Sequence, residues 1–145
     1  MSCKNLYSTK ELESHINKLY SKVASIAKED GVYEPIGTYF SSIMSADGDY
    51  CFTGNDEYHF CSLERGIINK EKTTQNLEEI TYWVLEPQVF WLAVQYERQH
   101  RMSNRDARRM IFSKELQYLN TIAREYGEIA ELEFSNILRE NPFQD

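Results

Sequence analysis

Leu77 to Phe112, LEEITYWVLEPQVFWLAVQYERQHRMSNRDARRMIF, carries the longest helical pattern in the chain and constrains what the rest can fold into. Ile80, Trp83, Val84, Pro87, Trp91 and Val94 recur at separations of three, four and seven, one stripe of a 3.6-residue period. A stripe holding both tryptophans is expected to be the core face of a central helix. Pro87 lies inside the pattern without a backbone donor, which predicts a kink or a fresh start. Ser103 with Asp106 three residues on reads as a new N-cap, so a turn is expected near Met102–Asn104. A third helix then spans about 104–126 and buries Ile111, Phe112, Leu116, Leu119, Ile122 and Tyr126. Gly127 interrupts. A last helix over about 128–139 buries Ile129, Leu132 and Ile137 and stops at Asn141-Pro142.

Upstream, Ser8 with Glu11 offers a capping box, and Leu12, Ile16, Leu19, Tyr20, Val23 and Ala27 share one face. Gly31 ends this helix, expected over about 9–29. From Ile36 the period becomes two. Residues 37–44, 49–53 and 57–64 alternate and are rich in aromatic and β-branched side chains, as strands are. Asp47-Gly48 and Gly54-Asn55-Asp56 supply turns, with Met44 then opposite Cys51 and Ile43 opposite Phe52. Residues 65–76 show no periodicity and read as a loop, with Thr74 or Asn76 capping the next helix. The expected fold is α+β: an N-terminal helix, a three-stranded antiparallel β meander, then three C-terminal helices packed together, in one domain spanning 1–145.

The net charge of −7 argues against a nucleic-acid binder, which needs a cationic stripe to displace counterions. Cys3, Cys51 and Cys61 are too few and too irregular for a disulfide framework, which suggests a reducing compartment. No apolar run reaches the roughly 18–20 residues of a membrane span. The N-terminus lacks the apolar centre of a signal peptide. A cytoplasmic protein with no membrane contact is expected.

Against the overall charge, Arg98, Arg101, Arg105, Arg108 and Arg109 face only Glu97 and Asp106 between positions 97 and 109. The segment is locally +3, so the remainder carries −10. Guanidinium forks match phosphates and carboxylates, so one reading is an anion or nucleotide site. The other is an internal ion-pair network of Glu97, Arg101, Asp106, Arg108 and Arg109, which the absence of a glycine-rich cradle for a phosphate favours. Cys51, His59 and Cys61 lack zinc-finger spacing and a fourth ligand, so no metal is expected. His15, His59 and His100 lie on separate elements and no nucleophile elbow is present, so no catalytic residue and no cofactor is assigned. Two acidic groups remain: Asp47, Asp49, Asp56 and Glu57 at the hairpin tips, and Glu125, Glu128, Glu131 and Glu133 around Gly127. They serve solubility and turns, or they steer a basic partner.

Tyr82-Trp83, Ala93, Tyr96-Glu97, Arg101, Asp106, Arg108-Arg109 and Phe112 together resemble the immunity protein 63 family of bacterial polymorphic-toxin and contact-dependent growth inhibition systems. Arg65-Gly66, Lys72-Thr73 and the ending Asn141-Pro142-Phe143-Gln144-Asp145 are similar too, so the resemblance covers roughly 37–145. It implies a non-enzymatic antidote that binds one cognate toxin domain, a basic protein such as a nuclease, and blocks it in the cytosol. It hands over no contact residues. The arginine motif reads as structural, and toxin contacts are expected on Asp47, Asp49, Asp56, Glu57, Glu125, Glu128 and Glu131. The competing readings make different demands. An anion-binding regulator requires Arg101, Arg105, Arg108 and Arg109 to converge with no carboxylate between them. An enzyme requires a cleft holding a strongly perturbed carboxylate or histidine.

Overall fold

The computed structural model describes residues 5–145, so Cys3 lies outside it. Within those residues the elements run α1 (Thr9–Glu29), β1 (Gly48–Gly54), β2 (Glu57–Glu64), β3 (Ile67–Thr74), α2 (Leu77–Gln99), α3 (Ala107–Ile122) and α4 (Arg124–Glu140). This is the expected α+β order of helix, antiparallel meander and three helices. The chain divides into two compact units, Met1–Lys18 with Pro35–Leu85 and Leu19–Glu34 with Glu86–Asp145.

In the first unit α1 starts as its sequence requires. The Ser8 N–H donates to Glu11 Oε1 at 2.8 Å and the Glu11 N–H to Ser8 Oγ at 3.1 Å, a reciprocal capping box. The N-terminal end of α1 is tied to the sheet: the Tyr7 N–H donates to Tyr58 Oη at 2.8 Å, and the Thr53 N–H to Thr9 Oγ1 at 3.0 Å.

The meander begins one strand later than the alternation suggests. Residues 37–44 form no strand, only an isolated parallel bridge from Tyr39 to Tyr50. Ser41 diverts the chain, because its Oγ accepts the Ile43 N–H at 2.9 Å, a local bond that competes with a ladder. Asp47-Gly48 is not a hairpin turn. Gly48 opens β1, and the Asp47 carboxylate accepts the N–H groups of Arg65 at 2.9 Å and Gly66 at 3.4 Å. The β1–β2 hairpin turns on Asn55-Asp56, as expected, with φ of 52° and 59°, and the β2–β3 hairpin on Arg65-Gly66, with φ of 54° and 76°. Both are two-residue loops with two left-handed residues, the type I′ geometry that matches strand twist.

Cys51 therefore pairs with Phe60 and Phe52 with His59, not with Met44 and Ile43. The segment expected as a loop is mostly β3. It is an edge strand exposed at every position but the last, so no one-sided apolar pattern marks it. Lys70 and Lys72 lie on that edge, where charge discourages pairing with another chain. The Lys72 ammonium rests 4.6 Å from the centre of the Trp83 ring.

α2 is capped by Asn76, whose Oδ1 accepts the Glu79 N–H at 3.0 Å, and runs through Pro87 unbroken. Its buried residues are not the predicted stripe alone. Ile80, Val84 and Val94 are inside, but so are Thr81, Tyr82, Leu85, Val89, Leu92 and Ala93. Trp91 is 47% exposed, and Trp83 and Pro87 are half-buried. A helix apolar around most of its circumference does not reveal its inner face by period.

In the second unit the turn after α2 passes through Asn104 at φ 65°, and Asp106 rather than Ser103 caps α3 by accepting the Arg108 N–H at 3.0 Å. The break between α3 and α4 falls at Ala123, where the backbone is extended, and not at Gly127. Gly127 lies inside α4, and a Cβ there would stand 2.0 Å from Asn120 Oδ1, so its bareness lets α3 and α4 approach closely. α3 and α4 pack together, with the Phe112 and Phe134 rings stacked at 4.1 Å. α4 buries Tyr126, Gly127, Ala130 and Phe134. Ile129, Leu132 and Ile137, expected in the core, are instead 42%, 69% and 42% exposed. The buried row 126–130–134 is offset by one residue from Ile129, a rotation of about 100° on a helix.

Candidate functional site

α4 carries an acidic outer surface in the second unit. Glu125, Glu128 and Glu131 are exposed along it. Ile129 and Leu132 are neighbours three residues apart. Glu125, Glu133, Glu128 and Asn136 occupy the positions four residues to either side of them. Two bare aliphatic side chains thus sit among carboxylates, and α4 as a whole carries five glutamates against two arginines.

The hairpin acids of the first unit are arranged differently. Asp47 is bound to the Arg65-Gly66 turn, and Asp49 accepts the Ser62 hydroxyl at 2.6 Å. Asp56 is exposed in its turn and Glu57 is half-buried at the start of β2. Asp47 and Asp49 thus carry internal hydrogen bonds, whereas Glu125, Glu128 and Glu131 are exposed.

Arg101, Arg108 and Arg109 each meet a different environment. Arg101 forks onto Glu97 at 3.0 and 3.1 Å, one helical turn away. Arg108 holds Asp106 with its closest contact at 2.8 Å and donates to the Asn141 and Pro142 carbonyls at 2.9 Å. Arg109 grips Asp145 and lies 4.1 Å from the centre of the Phe143 ring. The Gln144 N–H donates to Asp106 Oδ2 at 2.9 Å. Arg108, that N–H and the Arg108 N–H hold the Asp106 carboxyl well below the usual carboxylate range. Arg109 and the Asp106 N–H hold Asp145 down in the same way. The last five residues are thereby latched to the start of α3. A groove of about 380 Å³ beside this latch is lined by Met102, Arg105, Arg109, Met110 and Lys114. Carboxylates occupy the Arg101, Arg108 and Arg109 forks, so these three do not converge on one open point.

Arg108→Ala should release residues 141–145, seen as faster amide exchange and carboxypeptidase trimming there. Arg108→Lys should not restore protection, because an ammonium lacks the planar fork that spans a carboxylate and two carbonyls. Unchanged exchange in Arg108→Ala would show that Phe143 and Asp145 suffice.

The three histidines and the two described cysteines meet separate surroundings. His15 packs edge-on to Tyr7, His59 stacks on Phe52 and His100 stacks on Tyr96. Burial pushes the Cys51 thiol up to about 12, and burial with Glu71 pushes Cys61 up, the reverse of an activated thiolate. Among the described residues no group of three or more His, Cys, Asp or Glu side chains is placed to hold a metal ion. Asp30 is a hub: Lys114 Nζ is 2.8 Å away and the Tyr118 hydroxyl donates to it at 2.8 Å. No motif in the sequence singles out Glu115, which is 1% exposed on α3. Burial first, then the Glu86 carboxyl and the Glu133 charge, push it up to about 10. The available signal was its place on the stripe Phe112, Glu115, Leu119, Ile122. It is sealed, and it does not line the groove.

A family model described as Immunity protein 63 matches residues 54–136, from the end of β1 into the last turns of α4. No curated protein and no solved structure matches the chain. No helix among the described residues is long and apolar enough to cross a membrane.

Proposed function

Because the chain belongs to the immunity protein 63 family, we propose that it binds one cognate toxin domain and neutralises it in the cytosol by covering the active site or substrate channel. The family match over more than half of the chain carries this reading. The partner is a basic protein, with a nuclease as the leading class, since an enzyme acting on nucleic acid carries the positive charge that this acidic chain complements. The role needs no cofactor and no catalysis by this chain. Contacts are proposed on the acidic residues Asp47, Asp49, Asp56, Glu57, Glu125, Glu128 and Glu131. The pairs Arg101–Glu97, Arg108–Asp106 and Arg109–Asp145 serve as an internal network.

Co-expression with the toxin domain encoded beside this chain's gene tests the proposal. The expected results are rescue of growth and a complex that survives purification and gel filtration. Failure of both rescue and association would refute it. Rescue without a complex would move the proposal from occlusion to some indirect protection.

A further inference from the structure

We infer that the toxin docks on the outward face of α4, with Ile129 and Leu132 as the apolar centre of the contact and Glu125, Glu128 and Glu131 as its acidic rim. This rests on the toxin-binding proposal and adds to it the location of the surface and the chemistry of what it meets.

Two observations support it. The first is that α4 has already filled its inner face: Tyr126, Ala130 and Phe134 are buried, while Leu132 is 69% and Ile129 42% exposed. Single exposed apolar residues are ordinary on protein surfaces. Adjacent ones ringed by polar groups have the anatomy of an interface, an apolar centre that is desolvated on binding and a rim that stays wet. The second is charge. Five glutamates against two arginines give α4 a negative field that steers a basic surface toward it.

The same charge excludes other occupants. A second copy docked here would bring two rows of carboxylates face to face, and an anionic lipid surface would be repelled in the same way. The occupant is therefore a basic protein surface with an apolar depression that admits Leu132. The hairpin acids are less suited, because the Asp47 and Asp49 carboxylates already accept the hydrogen bonds that hold the β2–β3 turn and Ser62.

Calorimetric titration of the full chain with the purified toxin domain encoded beside it tests the inference. Ile129→Ala with Leu132→Ala should weaken binding by about tenfold or more with an unchanged thermal midpoint, since neither side chain is in the core. Glu125→Lys with Glu128→Lys should weaken it by about the same factor at low salt and by less at high salt. Glu13→Lys, at an exposed position of α1 outside the proposed contacts, should bind like the parent. If both α4 variants bind like the parent, the α4 assignment is overturned and toxin binding stands. If the parent itself does not bind, both fall.

Discussion

Glu115→Gln is expected to stabilise the protein by about 3–4 kcal/mol at pH 7 and to leave it unchanged near pH 4. Glu115 is 1% exposed on α3. Burial, reinforced by Glu86 and Glu133, raises its pKa from 4.5 to about 10. The folded chain therefore keeps this proton through the neutral range, while the unfolded chain releases it above about 4.5. Between those limits the native state binds one more proton than the unfolded state, so stability falls by about 1.4 kcal/mol for each pH unit. Glutamine has nearly the same shape and no proton to lose, so the decline should disappear. Asp30, Asp106 and Asp145 are shifted the other way. Their pairing stabilises above the ordinary aspartate range and is lost as pH falls below it. The variant-minus-parent difference in urea unfolding isolates Glu115, because those aspartates are common to both chains. A difference that stays flat from pH 5 to pH 9 would mean that the carboxyl is ionised in the folded protein.

Leu92→Ala should cost about 2–5 kcal/mol, the range for removing a fully buried leucine and leaving a cavity. Trp91→Ala, one residue earlier, should cost under about 1 kcal/mol despite deleting a far larger side chain. Leu92 is 1% exposed and Trp91 is 47% exposed, with its ring in edge contact with Phe90 at 5.6 Å. Urea melts of the two variants decide which face of α2 is inside. A loss at Trp91 equal to that at Leu92 would restore the tryptophan stripe that the helical period suggested. The contrast matters for function because Trp91, if it lies outside the core, can be replaced freely in interface mapping.

The fold is legible in the sequence where a local signal and a one-sided pattern agree. α1 has both: the Ser8–Glu11 box at its start and a buried row from Leu12 to Ala27. The Arg101–Glu97 pair was likewise legible, since residues four apart on a helix are neighbours. Arg109–Asp145 was not, because it joins positions 36 apart in the chain. On α4 the glutamates were visible as a surface, but Ile129 and Leu132 read as core. Only the packing of Phe134 on Phe112, with Gly127 under Asn120, shows which way the helix is rolled.

The sequence by itself determined the order of elements, the acidic charge and the family, since these rest on composition, turn residues and the motifs around Arg101–Phe112. It did not determine which segment of 37–76 supplies the third strand, which faces of α2 and α4 are buried, or that Glu115 is sealed among other carboxylates. Those were decided by tertiary structure. An edge strand wet on both sides carries no alternation, and a helix apolar on several sides carries no single stripe. A glutamate on a core stripe reveals its shifted proton only once the neighbouring helices exclude water from it.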